Sequence, residues 1–159
     1  GLETTIAHEI AHQWWYSQVG SDAQGEPWLD EGLTSFSQIV YYEAIGDRRQ
    51  AAAELQAFRD SYAGARTGRR DAPLGSPPAA LRGVYVPIVY AKGALFFQAL
   101  RVQIGEAAFE RFLRDYYAAG RYREVSGADL LRVAEGACGC QLDQLYNDWV
   151  LTTKQVPIP

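Results

Sequence analysis

The 159-residue sequence contains no methionine, not even at its first position. Because a natural reading frame starts with methionine, we expect the chain to be part of a longer protein. Long apolar runs are absent as well, since the longest candidate, residues 83–100, is interrupted by Lys92 and Gln98. The sequence therefore predicts no membrane-spanning segment. The absence of a leader sequence gives no information about export, so the compartment remains unknown.

Basic residues are outnumbered by acidic ones, 15 against 19, which leaves a formal net charge of −4. Because nucleic-acid-binding proteins carry basic patches, this balance argues against a nucleic-acid partner. Cysteine is also scarce, and Cys138 and Cys140 are too few for a disulfide framework. Their spacing is unfavourable for a mutual bridge. We expect them to be two small residues around the start of a helix.

Apolar residues make up 48% of the chain, enough for one globular domain with a sizeable core. Helical spacing and helix caps recur along the sequence, whereas no segment shows convincing strand alternation. This pattern predicts a mainly α fold. Glycine, proline and arginine accumulate over residues 64–83, where Pro77 and Pro78 exclude a helix, so we expect an irregular surface or rim loop. The predicted helices cover residues 2–16, 29–45, 47–62, 87–104, 106–119, 126–137 and 142–151.

Both histidines of the chain fall in the segment His8-Glu9-Ile10-Ala11-His12. Residues four apart lie on one face of a helix, so the two imidazoles can bind the same metal ion. Glu9 projects about 100° around the helix from His8. It can therefore flank the metal as a general base without being a ligand. The surrounding residues are apolar, and buried polar side chains need partners, which favours a metal site over an incidental cluster.

A catalytic zinc site of this type takes a third protein ligand and leaves a fourth position for water. Eighteen residues separate His12 from Glu31, enough to end one helix, form a loop and return antiparallel to it. A carboxylate at the start of the second helix can then face the histidine pair. Asp30 and Glu31 are both candidates, and the spacing alone does not separate them.

His-Glu-x-x-His, eighteen residues and then Glu within Trp-Leu-Asp-Glu-Gly resembles the signature of the M1 family of zinc aminopeptidases, which are gluzincins. The resemblance implies that His8, His12 and Glu31 bind one zinc ion per chain and that Glu9 is the general base. It also implies that the chain is the helical lobe of a thermolysin-like catalytic domain, without the β-containing part upstream. The implied activity is the release of N-terminal amino acids from peptides. The implied partners are a peptide substrate and the upstream half of the catalytic domain in the parent protein.

Residues 89–93, Val-Tyr-Ala-Lys-Gly, are similar to the Tyr-Glu-Lys-Gly segment of the same family. In that family the tyrosine hydroxyl stabilises the tetrahedral oxyanion, which implies this role for Tyr90. Tyr85 lies five positions earlier, where some members carry a second active-site tyrosine. The resemblance therefore adds Tyr90 to the candidate catalytic residues.

The sequence departs from the family pattern at several positions. Tyr16 and Ser17 replace a Gly-Asn pair, and Ala91 replaces the glutamate of Tyr-Glu-Lys-Gly. Gln38 stands where a carboxylate often supports a zinc histidine. Its oxygen can accept an imidazole N–H but brings no charge, which predicts weaker zinc binding than is usual in the family. The Gly-x-Met-Glu-Asn motif, which binds the free amino group of the substrate, lies upstream of the zinc helix in the family and is outside this chain.

Two alternatives remain open at this point. A thermolysin-like zinc endopeptidase uses the same zinc chemistry, and only the amine-binding motif distinguishes it from an aminopeptidase. The isolated chain can also be a non-catalytic helical interaction module. The presence of all four motif residues, His8, Glu9, His12 and Glu31, argues against a non-catalytic role for the parent protein.

Overall fold

The computed structural model describes residues 1–154 and 156–159, and these residues form a mainly α-helical structure. The predicted fold class is therefore confirmed. None of the helices in the described residues combines the length and apolarity needed to cross a membrane. The α-helices are α1 (Leu2–Ala11), α2 (Trp28–Ala44), α3 (Arg48–Thr67), α4 (Gly93–Ile104), α5 (Glu106–Gly120), α6 (Gly127–Cys138) and α7 (Asp143–Tyr146). A 3-10 helix spans Pro78–Leu81, and two π-helical segments, π1 and π2, span Val86–Lys92 and Asn147–Leu151.

Two helices begin at side-chain caps. The Asp47 side chain accepts a hydrogen bond of 3.0 Å from the backbone N–H of Gln50 at the start of α3. Ser126 and Asp129 form a reciprocal capping box at the start of α6. Each cap satisfies backbone donors that have no partner inside the helix. These starts are predictable because the interactions are local.

Two short strands were not expected from the sequence. β1 (Val19–Ser21) pairs in parallel with β2 (Arg123–Val125), so that Gly20 lies opposite Glu124. Each strand has only three residues, too few to produce a recognisable alternation. The pairing joins the segment after α1 to the segment before α6.

The boundaries of several predicted segments also differ. α1 ends at Ala11 and the chain continues in turns, instead of remaining helical to Tyr16. α3 extends through Thr67, so the irregular segment begins at residue 68 rather than 64. The prediction that Pro77 and Pro78 exclude a helix is wrong, since a 3-10 helix begins at Pro78. Proline is tolerated at a first helical position because the N–H that it lacks would have no helical partner. Leu74 is fully buried, so part of this segment belongs to the core.

The cysteine prediction is wrong. Cys138 and Cys140 form a disulfide at the end of α6, with their Cα atoms 5.2 Å apart. Gly139 between them has a positive φ of 61°, a left-handed conformation that glycine adopts without steric cost. This reversal of the chain brings the two side chains together.

Helix α2 is the centre of the core and packs against α1, α3, α4 and π1. Trp28 and Phe36 are fully buried on it. The ring of Trp28 lies 5.3 Å from that of Phe96 on α4, and Phe36 lies 5.4 Å from Phe109 on α5. These aromatic contacts position the first turn of α2, which carries Asp30 and Glu31.

Candidate metal centre

Three side chains from α1 and α2 converge on one point. His12 is the C-terminal cap of α1, one turn after His8, and the centroids of the two rings lie 4.8 Å apart. Nε2 of His8 lies 3.2 Å from Oε2 of Glu31, and Nε2 of His12 lies 3.6 Å from the same oxygen. The donor atoms of this group all lie within 4.8 Å of one another. The structure therefore brings the three predicted ligands together.

The donor set fits zinc, which proteins bind through imidazole nitrogen and carboxylate oxygen. Bonds of about 2.0–2.2 Å at tetrahedral angles place neighbouring donors about 3.3–3.6 Å apart. The separations of 3.2 and 3.6 Å from Glu31 are close to this spacing. The side chains of His8, His12 and Glu31 are 12%, 19% and 21% exposed, so the group remains open to a further ligand.

The second nitrogen of His8 contacts Gln38 on α2. Nε2 of the Gln38 amide lies 2.7 Å from Nδ1 of His8. When Nε2 of His8 binds a metal, Nδ1 carries the proton, and rotating the Gln38 amide by 180° would bring its oxygen to this place as the acceptor. The geometry is thus compatible with the supporting role predicted for Gln38.

The second nitrogen of His12 contacts two residues of α2. Oδ1 of Asp30 lies 2.7 Å from Nδ1 of His12, and Oγ1 of Thr34 lies 3.3 Å from the same atom. Burial, reinforced by the negative charge of Glu31, raises the pKa of Asp30 to about 6 against the attraction of His12. Asp30 therefore lies behind His12, and the group that could hold a metal contains Glu31 instead. The spacing of the sequence did not indicate this position of Asp30 behind His12. Adjacent residues on a helix project about 100° apart, and this angle could have indicated that Asp30 and Glu31 do not both face one ion.

Tyr90 reaches the centre from π1. Its ring stacks on His8 with the centroids 5.9 Å apart. Burial and the negative charge of Glu31 raise the pKa of Tyr90, so the hydroxyl keeps its proton. Burial alone would raise the pKa of Glu31, but the hydrogen bond with His8, together with the influence of Tyr90 and His12, outweighs it and lowers that pKa.

The remaining candidates are Tyr85 and Glu9. The ring of Tyr85 lies 6.1 Å from that of Tyr90, and burial followed by the charge of Glu31 raises the pKa of Tyr85. Glu9 is exposed on α1 beside His8, so its carboxylate is accessible to water or to a substrate.

Comparison with known proteins identifies the family. The family model described as "Peptidase family M1 domain" matches residues 1–149. The chain belongs to peptidase family M1. Among curated M1 relatives, aminopeptidase N of Lactococcus lactis subsp. lactis is 27% identical over 154 residues, which cover 91% of this chain and 18% of that protein. Human endoplasmic reticulum aminopeptidase 1 is 27% identical over 143 residues, or 82% of this chain and 14% of that protein.

Solved M1 structures have the same fold. An M1 zinc metallopeptidase variant from Deinococcus radiodurans, bound to a Tyr-Ser-Ala substrate, superposes with a TM-score of 0.82 at 28% identity. The match covers 99% of this chain and 34% of that one. The chain thus spans less than a fifth of the two curated relatives and about a third of this neighbour. Together with the His8, His12 and Glu31 group, these M1 neighbours identify zinc as the metal of the centre.

Proposed function

We propose that the parent protein is a zinc-dependent aminopeptidase, which hydrolyses peptide bonds and releases N-terminal amino acids. The observation that carries the proposal is the convergence of two imidazoles on one carboxylate, Glu31, with the ring of Tyr90 stacked on His8. The relatives named as aminopeptidases support exopeptidase rather than endopeptidase activity. The tripeptide in the Deinococcus structure supports a peptide substrate.

Each residue has a separate role in this proposal. His8, His12 and Glu31 hold the metal, and Asp30 and Gln38 orient the two imidazoles. A bound zinc ion supplies Lewis-acid chemistry, because it lowers the pKa of water and polarises a carbonyl group.

Glu9 and Tyr90 act on the reacting groups. Glu9 accepts a proton from the attacking water and later delivers it to the leaving amine. The hydroxyl of Tyr90 donates a hydrogen bond to the oxyanion, which it can do because it retains its proton.

The substitution Glu9→Gln in the full-length parent tests this proposal. We expect kcat to fall by about 10²–10⁴-fold, because the general base is lost, while the zinc content stays the same. Glu110→Gln, at an exposed position of α5, is the matched control, and it should leave kcat unchanged. Full activity of Glu9→Gln would refute the proposed mechanism.

The choice between exopeptidase and endopeptidase needs a second measurement. An aminopeptidase recognises the free amino group, so the parent protein should hydrolyse an aminoacyl substrate much faster than its N-acetylated form. Equal rates would favour the thermolysin-like endopeptidase.

The apolar face of α1 supports the proposal that the remainder of the parent protein, the upstream half of its catalytic domain, packs on this chain. Leu2, Ile10 and Trp14 are 78%, 51% and 44% exposed. They line a groove of about 870 Å³ between α1 and α2. Monomeric proteins rarely leave such apolar patches uncovered. The much longer M1 relatives have additional chain that can cover it.

Comparing Ile10→Glu in the two contexts tests this packing. In the isolated chain Ile10 is half exposed, so we expect the free energy of unfolding to change by no more than about 0.5 kcal/mol. In the parent protein a buried, unpaired carboxylate should cost about 3 kcal/mol or more. Equal effects in both contexts would show that the groove stays open.

A further inference from the structure

The most deeply buried charge outside the metal centre belongs to Lys92, the last residue of π1. Its side chain is 0% exposed. Nζ donates hydrogen bonds to Oδ1 of Asp71 at 3.0 Å and to the carbonyl oxygen of Ala72 at 2.6 Å. It also lies 5.3 Å from the centre of the Tyr62 ring, and the Tyr62 hydroxyl donates to Oδ2 of Asp71 at 3.0 Å. The ammonium is therefore bound on several sides.

Burying the Lys92–Asp71 ion pair costs free energy, because the loss of hydration of the two charges offsets much of their mutual attraction. Burial accordingly lowers the pKa of Lys92, against the opposing hydrogen bond and charge of Asp71. An apolar side chain of similar length would serve packing alone as well or better. Unlike an apolar side chain, Lys92 makes directional hydrogen bonds. These bonds fix the position of the end of π1 relative to Asp71 and the backbone of Ala72.

The opposite side of the same turn is tied to α2. A Cβ atom added to Gly93 would lie 2.8 Å from Cα of Gly32, and one added to Gly32 would lie 3.0 Å from Cα of Gly93. The two backbones are therefore in direct contact. Gly32 follows Glu31, and Gly93 follows Lys92. The segment that carries Tyr90 is thus held between α2 on one side and Asp71 on the other.

We propose that Lys92 is a positioning residue for Tyr90. Residues two apart on a helix lie on nearly opposite faces, so Lys92 can hold π1 from behind while Tyr90 faces Glu31. π-Helical turns are rare and depend on their surroundings, which explains the need for a directional contact here. The Lys92–Asp71 pair, which we call the clamp, keeps the Tyr90 hydroxyl within reach of the oxyanion. This inference rests on the proposed function.

A double-mutant cycle in the full-length parent tests it. We expect Lys92→Met to lower kcat by roughly 10–100-fold, because a displacement of about 1 Å at a catalytic group has an effect of this size. KM should stay within about threefold and the zinc content should be unchanged. In a Tyr90→Phe background the same substitution should lower kcat less than about twofold, since no hydroxyl remains to be positioned.

Two further variants separate positioning from general loss of structure. Lys92→Met combined with Asp71→Asn removes both buried charges, so it keeps the fold without the clamp and should lose kcat as Lys92→Met does. Arg101→Met is the matched control. Arg101 lies further along α4, and its ion pairs are with Glu43 on α2 and Glu106 on α5 and not with π1. It should leave kcat unchanged.

The outcomes distinguish this inference from the proposed function. Equal losses of kcat from Lys92→Met in the native and Tyr90→Phe backgrounds would overturn the positioning role only. Unchanged kcat in the charge-free double variant would do the same. Full kcat in Tyr90→Phe alone would overturn both the catalytic role of Tyr90 and the clamp.

Discussion

The two helices that supply the metal ligands differ in how this chain supports them. α1 has one buried residue, Ala11, whereas most of the residues of α2 are buried. Ile6 on α1 is 49% exposed, and Phe36 on α2 is 0% exposed. Glu31 is therefore held by the chain's own core, while His8 and His12 lie on a helix with an uncovered face. The metal centre thus combines a ligand from α2, which is well packed in the core, with ligands from α1, which is packed less closely.

The largest expected effect compares truncations on the two helices in the isolated chain. Phe36→Ala should reduce the free energy of unfolding by about 3–5 kcal/mol, because it leaves a cavity among aromatic rings. Ile6→Ala should reduce it by less than about 1 kcal/mol, since half of the side chain is already exposed. Denaturant unfolding measures both values. Equal costs would show that α1 is as well packed as α2.

Zinc removal should affect α1 more than α2. A ligand present at 100 times its dissociation constant stabilises the folded state by about 2.7 kcal/mol. Because α1 has few other contacts, this stabilisation should appear mainly as slower amide hydrogen exchange over residues 2–11. Exchange with and without a chelator measures the effect. A uniform change in both helices would contradict the comparison.

The next effect concerns the carboxylate behind His12. Asp30→Asn should weaken zinc binding by about 10–100-fold, because it removes the charge that orients and polarises the imidazole. Competition with a chromogenic chelator measures the affinity. Thr34→Val, which removes the longer contact of 3.3 Å, is the control and should have a smaller effect. If the two variants bind zinc equally, Asp30 has no supporting role.

The smallest expected effect is an increase in zinc affinity. Gln38→Glu places a charged acceptor beside Nδ1 of His8 and should strengthen zinc binding by up to about tenfold. The same chelator competition detects it. Unchanged or weaker binding would mean that the amide already supports His8 fully, and that the predicted weakness of this site is wrong.

Local interactions explain why so much of the fold is predictable. The caps at Asp47 and Ser126 involve residues three positions apart, and apolar spacing marks the long helices. The parallel pairing of β1 with β2 joins residues about a hundred positions apart, and no local pattern reports it. The disulfide between Cys138 and Cys140 depends on the left-handed turn at Gly139, which the cysteine spacing alone does not show.

The metal centre, too, has features that the sequence predicts and features that only the tertiary structure shows. The sequence by itself determined the ligand pair on one helix face and, through its family motif, the distant Glu31, because four-residue spacing on a helix sets that geometry. Only the tertiary structure decided that Asp30 lies behind His12 and that Lys92 is fully buried against Asp71. Such contacts join segments far apart in the chain, and they form only when the packing of α2 against its neighbours brings those segments together.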